Sequence, residues 1–182
     1  MTPAEAKVFV EPLDTARHDR AGFSCGVESV DNFFKRTANK LASAGNLRVF
    51  VMTSAEGEVI GFYALNASSV AYADLPAKYA RTRPGHGFIP VAYLSMIAVD
   101  QRYAGRGHGG ELLADALKRV AAAATSIGIA VVLLDILDDG DAELIARRRA
   151  LYEHYGFSPL PTKPNRLFLP VDSIAALLGK TR

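Results

Sequence analysis

The spacing of apolar side chains along the chain changes between two periods and predicts both helices and strands. Apolar residues between positions 27 and 41 recur at steps of three and four, as on one face of a helix, and Gly45 ends that pattern. We predict strands over residues 7–10, 48–53, 59–68, 91–99, 129–136, near 157, and 166–169. We predict helices over residues 27–41, 76–81 (short), 113–124, 141–155 and 171–178.

The order of these elements predicts an α/β fold. Residues 48–53 and 59–68 flank a Glu-Gly-Glu turn, which indicates a hairpin. Residues 129–136 are almost continuously apolar, as in a strand that is covered on both faces. We therefore expect a mixed, mostly antiparallel sheet of six to seven strands with flanking helices, in one domain over residues 1–182.

Composition adds little to this picture beyond a broad class. The chain has 182 residues, a net charge of +2 and one cysteine, Cys25, so an internal disulfide is impossible. The longest apolar runs, 91–99 and 127–137, are shorter than the roughly 20 residues that span a bilayer. We expect a cytoplasmic protein with no membrane partner.

A glycine-rich segment between a strand and a helix is the most informative stretch. Gly105, Gly107, Gly109 and Gly110 lie between the strand at 91–99 and the helix that follows. A helix N-terminus offers backbone N–H groups and a partial positive charge, and glycines allow an anion to approach closely. The segment therefore predicts a phosphate-binding site.

Several interpretations of this segment compete. A P-loop is excluded, because no Lys-Ser or Lys-Thr pair follows the glycines. Gly105, Gly107 and Gly110 match the dinucleotide fingerprint, with Asp135 ending the next strand, but that fingerprint requires its first glycine directly after a strand. Five residues intervene here. A glycine-rich turn without a ligand is the remaining alternative.

The same segment resembles the GNAT superfamily of N-acetyltransferases. The strand ends in Ile97-Ala98-Val99-Asp100 and is followed by Arg102, Gly105 and Gly107 at the superfamily's spacing. The resemblance implies a GNAT fold with a splayed central strand pair, and acetyl-coenzyme A held by the loop and the preceding strand. The implied cofactor-binding residues are Ile97, Ala98, Val99, Arg102, Tyr103, Ala104, Gly105, Arg106, Gly107, His108, Gly109, Gly110 and Tyr155.

A second motif of that superfamily lies downstream. Leu151-Tyr152-Glu153-His154-Tyr155-Gly156-Phe157 resembles its late helix-to-strand motif. The resemblance implies that the Tyr152 hydroxyl faces the coenzyme A sulfur and protonates the leaving thiolate as the catalytic acid. A phenol with a pKa near 10 is protonated at pH 7. The alternatives are a core aromatic role for Tyr152 and a structural role for Tyr155.

No other group is predicted to carry the chemistry. The sequence indicates no general base: His154 lies on a different helix face from Tyr152, and His18 and His86 have no partner spacing. His108 is expected to contact phosphate or solvent. No His, Cys, Asp and Glu set has metal-ligand spacing, so no metal is expected.

Within the superfamily, the chain is similar to the toxins that acetylate aminoacyl-tRNA. The matching segments are residues 23–34, 61–65, 68–70, 97–100 and 167–170. The resemblance implies an aminoacyl-tRNA substrate, a ribbon-helix-helix antitoxin and a homodimer. Those toxins often carry an arginine where this chain has Met96, and the segment at residues 138–149 is longer than usual. These two departures bear on the predicted acceptor and not on the predicted cofactor.

The acceptor would need a basic surface, because tRNA is a polyanion. The candidate substrate-binding residues are Arg147, Arg148, Arg149, Arg81 and Arg83. The alternative for each is a solvated surface arginine. Two further functions stay open: acetylation of a small amine or a protein amine, and a non-enzymatic module that binds acetyl-coenzyme A.

Overall fold

A computed structural model of the chain describes residues 7–179. The strands are β1 (Phe9–Pro12), β2 (Arg48–Thr53), β3 (Val59–Ala71), β4 (Phe88–Val99), β5 (Val131–Asp135), β6 (Ser158–Pro159) and β7 (Arg166–Pro170). The helices are α1 (Glu28–Asn32), α2 (Ala38–Ser43), α3 (His108–Ala123), α4 (Ala142–His154) and α5 (Ile174–Gly179). None of the helices among residues 7–179 is long and apolar enough to cross a membrane.

The strands form one mixed sheet in the order β1-β2-β3-β4-β5-β7-β6. Strand β1 pairs antiparallel with β2, β2 with β3, β5 with β7, and β6 with β7, whereas β4 and β5 are parallel. The predicted mixed, mostly antiparallel sheet with flanking helices is confirmed.

The parallel pairing of β4 with β5 is short. It covers three residue pairs, from Val91 with Val131 to Tyr93 with Leu133, although β4 continues to Val99. The last six residues of β4 therefore extend beyond the described ladder with β5. The splayed central strand pair that the sequence resemblance implies stays a prediction.

The described residues divide into two compact units. The first contains the residues up to Asn66 together with Ser95–Asp115, and the second contains Ala67–Leu94 and the residues from Ala116 onward. Aromatic rings form the core of the first unit: Phe34 stacks on Phe62 at 4.0 Å between ring centroids, and Phe23 meets Phe34 edge-on at 4.9 Å. The second unit has a core of buried side chains: Val70, Leu75, Ile89, Val91, Val131, Leu133, Leu160 and Phe168.

Gly61 allows β3, β4 and α3 to approach one another closely within the first unit. A Cβ atom on Gly61 would lie 2.7 Å from the Ala98 carbonyl oxygen and 2.8 Å from Cδ1 of Leu112. Both distances are shorter than any ordinary van der Waals contact. A glycine at this position therefore sets the depth at which α3 lies on the strand that leads into the glycine-rich loop.

The first helix differs from its predicted form. The helix expected over 27–41 is divided by a π-helical turn, Phe33–Thr37, between α1 and α2. The wider turn brings two consecutive rings, Phe33 and Phe34, to Phe62, at 6.2 and 4.0 Å. Arg20 also donates to the Phe34 carbonyl oxygen at 2.5 Å. These tertiary contacts favour the interruption, which apolar periodicity does not encode.

Several predicted boundaries are shifted by pairing with neighbours. Strand β1 begins at Phe9 instead of residue 7, because its register with β2 runs from Phe9 to Pro12. Strand β4 begins at Phe88, three residues early, and includes Pro90, whose carbonyl oxygen accepts from the Ala130 N–H. The short helix expected over 76–81 is a 3₁₀ turn, Ala77–Ala80, and the closing helix begins with another, Val171–Ser173.

Candidate active site

The backbone of the glycine-rich loop has an open, left-handed geometry. After β4 the chain makes a 3₁₀ turn, Gln101–Tyr103, and then passes through Gly105 at φ +76° and Gly107 at φ +83° before α3 begins at His108. No atom lies within 4 Å of where a Cβ would stand on either glycine. The backbone conformation, and not crowding, therefore requires glycine at these positions, and the loop surface is accessible to a ligand.

Asp100 fixes the start of this loop. Its carboxylate is buried, with 1% of the residue exposed, and accepts from the Ser24 N–H at 3.1 Å and from the Arg102 N–H at 2.9 Å. The Arg102 guanidinium binds both carboxylate oxygens, at 3.0 and 3.2 Å. Burial raises the pKa of Asp100, but these donors outweigh burial and hold the pKa below its usual range.

The two arginines of the loop differ in their partners. The Arg102 guanidinium is occupied by Asp100, whereas Arg106 donates to the Arg102 carbonyl oxygen at 3.4 Å. Both guanidinium carbons lie 5.6 Å from the centroid of the Tyr103 ring. Across residues 7–179, no carboxylate is within ion-pair distance of Arg106. Arg106 is thus the loop cation whose charge is not matched by an acid.

The remaining predicted cofactor residues lie on both sides of the loop. Ile97, Ala98 and Val99 are half-buried in the extended end of β4, and Ala104 is exposed. His108, Gly109 and Gly110 form the first turn of α3. His108 was expected to contact phosphate or solvent, and its Nδ1 lies 2.9 Å from the Glu111 carboxylate.

Tyr152 lies in the last turn of α4 with its ring buried and 6% of the residue exposed. The ring meets Phe157 edge-on at 6.1 Å between centroids. Every buried side-chain nitrogen or oxygen among the described residues has a hydrogen-bond partner, but the Tyr152 hydroxyl has none, so this oxygen must reach solvent. Burial raises the pKa of Tyr152 to about 12, which the charge of Arg148 partly opposes. The hydroxyl is therefore protonated at neutral pH and available to donate.

Tyr155 and Gly156 end this helix. Tyr155 is the C-cap residue and is half-buried, with its ring 5.6 Å from that of His154. Gly156 has φ +90°, and the Phe157 N–H donates to the Tyr152 carbonyl oxygen at 3.1 Å. The left-handed glycine reverses the chain and fixes the backbone around Tyr152.

The three consecutive arginines of α4 are not equivalent. Arg147 is exposed and pairs with Glu143 at 2.8 Å across one helical turn. Arg148 is mostly covered, donates to the Leu137 carbonyl oxygen at 2.9 Å and pairs with Asp139 at 2.9 Å. Arg149 donates to the Pro164 carbonyl oxygen and to Asn165. Arg148 and Arg149 therefore hold the segments that flank α4, and Arg147 is the one most open to solvent.

Arg81 and Arg83 follow the 3₁₀ turn at Ala77–Ala80, and both are exposed. The Arg83 guanidinium donates to the Ala80 carbonyl oxygen at 2.6 Å and lies 4.4 Å from the centroid of the Tyr72 ring. Neither contact neutralises the charge, so Arg83 remains a cation at the surface.

Comparison with known proteins identifies the family. The model of the acetyltransferase (GNAT) domain matches residues 45–159, a range that contains both the glycine-rich loop and Tyr152.

The chain belongs to the GNAT acetyltransferases.

Curated GNAT relatives cover almost the whole chain. It is 62% identical to the probable toxin TacT of Sinorhizobium fredii (strain NBRC 101917 / NGR234) over 175 residues, which cover 96% of this chain and 97% of the relative. It is 40% identical to the tRNA-acetylating toxin of Mycobacterium tuberculosis (strain ATCC 25618 / H37Rv) over 161 residues, 88% of this chain and 91% of the relative. The resemblance noted from the sequence motifs is thereby confirmed.

Solved GNAT structures share the fold. AtaT complexed with acetyl-methionyl-tRNAfMet has a TM-score of 0.81 at 27% identity, over 94% of this chain and 99% of that one. A crystal structure of AtaTR bound with AcCoA has a TM-score of 0.77 at 28% identity, over 94% of this chain and 98% of that one.

Sequence motifs missed four features of this GNAT chain. Asp100 was noted as a motif position but not as the anchor of the loop, although an acidic residue directly before a 3₁₀ turn is a typical cap. Glu58 contacts the loop from a turn 45 residues earlier, and no local pattern indicates that contact. His18, expected to have no partner, is buried and bonds to Glu11 at 2.8 Å.

The fourth missed feature is a cluster at the end of β5. Asp135 accepts from the Tyr93 hydroxyl at 2.6 Å and from two nitrogens of Arg166 at 2.7 and 2.9 Å. Burial, followed by the bond to Asp135, raises the pKa of Tyr93 to about 12. Asp135 and Arg166 are opposite each other in the β5–β7 register, so only knowledge of that register would have predicted the pair.

Proposed function

We propose that the chain transfers the acetyl group of acetyl-coenzyme A to the α-amine of an aminoacyl-tRNA and thereby acts as a toxin that blocks translation. The observation that carries this proposal is its similarity to tRNA-acetylating proteins over nearly its full length: 40% identity to a tRNA-acetylating toxin over 88% of the chain. Its 62% identity to a probable toxin supports the same function.

The glycine-rich loop fits the diphosphate of acetyl-coenzyme A. It combines two open left-handed glycines, the N-terminus of a 16-residue helix and Arg106, which has no acidic partner among the residues that the structure describes. Backbone N–H groups at such a helix end favour an anion. Residues 97–99 would accompany the pantetheine arm, and residues 102–110 would hold the phosphates. When bound, the cofactor supplies an activated acetyl thioester.

Tyr152 serves as the acid of the reaction. Its hydroxyl carries a proton at neutral pH because its pKa is raised to about 12, and no other described residue engages that hydroxyl. It can therefore donate the proton that a departing thiolate requires. Because Tyr152 has no bond to break first, the donor is ready without rearrangement.

The α-amine of an aminoacyl ester explains why a strong base is unnecessary. This amine is more acidic than the side-chain amine of lysine, so a larger share is neutral and able to attack at pH 7. A site with an acid and no evident base therefore suits this acceptor better than a lysine side chain.

Exposed arginines provide the contacts to RNA in this proposal. Arg147, Arg81 and Arg83 lie at the surface with charges that a phosphate can meet. Arg148 and Arg149 contribute less directly, since their guanidinium groups bind protein carbonyl and carboxylate oxygens.

The proposal also covers the domain organisation, the location and the partners of the protein. We propose that residues 1–182 form one acetyltransferase domain, because the family match runs through residues of both compact units. We also propose a cytoplasmic homodimer that a ribbon-helix-helix antitoxin neutralises, as the sequence resemblance implies. Light scattering of the purified chain tests the homodimer. The same measurement with the product of a neighbouring reading frame tests the complex with an antitoxin.

Mass spectrometry after incubation with isotopically labelled acetyl-coenzyme A tests the function itself. Total tRNA, charged and uncharged, and total protein are incubated with the enzyme and digested. We expect label on the aminoacyl group of charged tRNA and none on uncharged tRNA. Label confined to protein lysines or to small amines would refute the tRNA assignment, and no label on any acceptor would refute catalysis.

Growth provides an independent test of the toxin role. Induced expression is expected to arrest growth, and Tyr152→Phe is expected to relieve the arrest at equal protein level. Harmless accumulation of the unaltered protein, with acetyl-coenzyme A binding intact, would contradict the toxin proposal.

A further inference from the structure

The turn between β2 and β3 is bonded to the glycine-rich loop. The Tyr103 hydroxyl in the loop donates a hydrogen bond to the Glu58 carboxylate, which ends that turn. This bond, more than burial, raises the pKa of Tyr103 above its usual value. Glu58 is exposed and the Tyr103 ring is half-buried, so the bond ties a surface turn to the loop across 45 residues of sequence.

The Tyr103 ring, whose hydroxyl is bonded to Glu58, lies against both arginines of the loop. The guanidinium carbons of Arg102 and Arg106 each lie 5.6 Å from its centroid. Cation–π contacts at exposed sites contribute only about 0.5–1 kcal/mol, so the ring orients a guanidinium only if it is itself fixed. The hydroxyl bond to Glu58 supplies that fixation.

The two arginines differ in how far their guanidinium groups are already bonded to an acid. Arg102 is occupied by the buried Asp100, to which it donates at 3.0 and 3.2 Å. Arg106 lies between the two left-handed glycines, and within residues 7–179 it has no acidic partner. Its guanidinium is therefore displayed beside the open loop backbone, where an anion would gain from it.

We infer that Glu58 is a positioning residue for the diphosphate of acetyl-coenzyme A: it fixes Tyr103, and Tyr103 holds the Arg106 guanidinium at the glycine-rich loop. The inference rests on the proposed use of this loop for acetyl-coenzyme A. Glu58 itself carries a negative charge and would repel a phosphate, so its benefit must come from the hydrogen bond and not from its charge.

This distinction gives opposite expectations for two substitutions of Glu58. Glu58→Gln removes the charge but keeps a side-chain oxygen that accepts from the Tyr103 hydroxyl. Glu58→Ala removes the charge and the acceptor together. A positioning role predicts weaker binding for alanine and near-normal binding for glutamine, whereas a purely electrostatic role predicts tighter binding for both.

The test is calorimetric titration of each purified variant with coenzyme A, with no acceptor present. Glu58→Ala and Tyr103→Phe are each expected to raise the Kd by about two- to tenfold, the range that corresponds to one net hydrogen bond. The double variant should be no weaker than either single variant, since both remove the same bond. Glu56→Ala, on the same exposed turn, is the matched control because its side chain makes no hydrogen bond or ion pair among the described residues.

Dephospho-coenzyme A identifies the group that Arg106 meets. It keeps the diphosphate and lacks the 3′-phosphate, so the loss in Glu58→Ala and Tyr103→Phe should be the same with this ligand. Disappearance of the loss with dephospho-coenzyme A would overturn the assignment to the diphosphate. Thermal unfolding of each ligand-free variant accompanies the titrations, and a local positioning role predicts midpoints close to that of the unaltered chain.

Two outcomes would overturn the positioning role itself. One is wild-type affinity in both Glu58→Ala and Tyr103→Phe. The other is equal weakening in Glu58→Gln and Glu58→Ala, which a hydrogen-bond acceptor role does not allow. A chain that binds coenzyme A normally but acetylates no tRNA would refute the proposed function and leave this inference standing, so the two failures are distinguishable.

Discussion

At the scale of single residues, Tyr152 combines two properties that core aromatic residues rarely share. Its ring is packed against Phe157, but its hydroxyl has no hydrogen-bond partner within residues 7–179 and reaches solvent. A purely structural tyrosine in a core either bonds its hydroxyl or is replaced by phenylalanine without loss. The arrangement therefore favours a chemical role over the packing role that the sequence left open.

Substitution of Tyr152 by phenylalanine separates these roles. Because Tyr152→Phe keeps the ring and breaks no hydrogen bond, the Kd for acetyl-coenzyme A and the unfolding midpoint should stay near wild type. The kcat for acetyl transfer should fall about 100- to 10,000-fold, the usual contribution of a positioned acid. Steady-state kinetics and calorimetry measure both, with Tyr79→Phe as the control at a half-buried tyrosine elsewhere in the chain. An unchanged kcat would leave Tyr152 with a packing role alone.

Asp100 gives a residue-scale prediction about stability and pH. Its pKa is lowered in the folded state, so its contribution is fully present above the unfolded-state pKa near 4 and is lost as the pH falls through the folded-state pKa. Asp100→Asn should lower the free energy of unfolding at pH 7 by about 2 kcal/mol, because hydrogen bonds to charged groups contribute about 1.5–3 kcal/mol. Urea unfolding at pH 7 and at pH 3 should show the deficit shrinking at the lower pH. A deficit that is constant with pH would exclude the charge as its source.

At the scale of secondary-structure elements, the site depends on how closely β3, β4 and α3 pack. Gly61 makes this packing possible, because atoms of Ala98 and Leu112 lie too close to leave room for a Cβ atom. Neither contacting atom can move away easily, because one is a backbone oxygen and the other belongs to a fully buried leucine. The start of the glycine-rich loop is therefore set by the absence of a single methyl group.

Gly61→Ala should destabilise the protein and disturb the loop together. Overpacking of this kind costs about 1–3 kcal/mol. Chemical denaturation should show that loss, and calorimetry should show weaker coenzyme A binding. Gly128→Ala is the matched control, because Gly128 has no atom within 4 Å of its Cβ position and no left-handed φ. Equal stability of the two variants would mean that α3 moves away without cost.

Comparison of the predicted and observed helices, strands and loops shows which features could be predicted from the sequence. The strand at 48–53 was predicted with the bounds it has, because turn residues flank it on both sides. The glycine-rich loop and its following helix were found because they are local in sequence. The π turn at Phe33–Thr37 and the bond from Glu58 to Tyr103 depend on contacts between distant segments, and no local pattern reports them. The cofactor residues themselves remain a prediction for the titrations to test.

At the scale of the whole molecule, the net charge of +2 is too small to attract tRNA by itself. In the proposed function, the local placement of arginines must therefore supply the attraction to tRNA. The structure favours Arg147 over its two neighbours, which the sequence could not distinguish, because Arg148 and Arg149 are bonded to the segments that flank α4.

Charge reversal at Arg147 tests this placement. If Arg147 meets a phosphate, Arg147→Glu should raise the KM for charged tRNA and reduce the slope of log KM against log salt by about one, as expected for one lost phosphate contact. The Kd for acetyl-coenzyme A should not change. Lys118→Glu, an equal charge change on the exposed side of α3, controls for net charge. Equal effects of the two variants would indicate long-range attraction and not a contact.

The short β4–β5 ladder has a consequence for backbone exchange with solvent. From Leu94 to Val99 the strand extends past its three described pairs with β5, and we expect alternate N–H groups of this segment to bond the pantetheine arm of coenzyme A, as the sequence resemblance implies. In deuterated water these amides should exchange quickly in the free protein and slowly once coenzyme A lies along the strand. Mass-resolved exchange of this segment, with and without ligand, would show it, and identical uptake in both states would mean that the ligand does not pair with β4. Slower uptake with the ligand would instead mean that bound coenzyme A serves as a further strand beside β4.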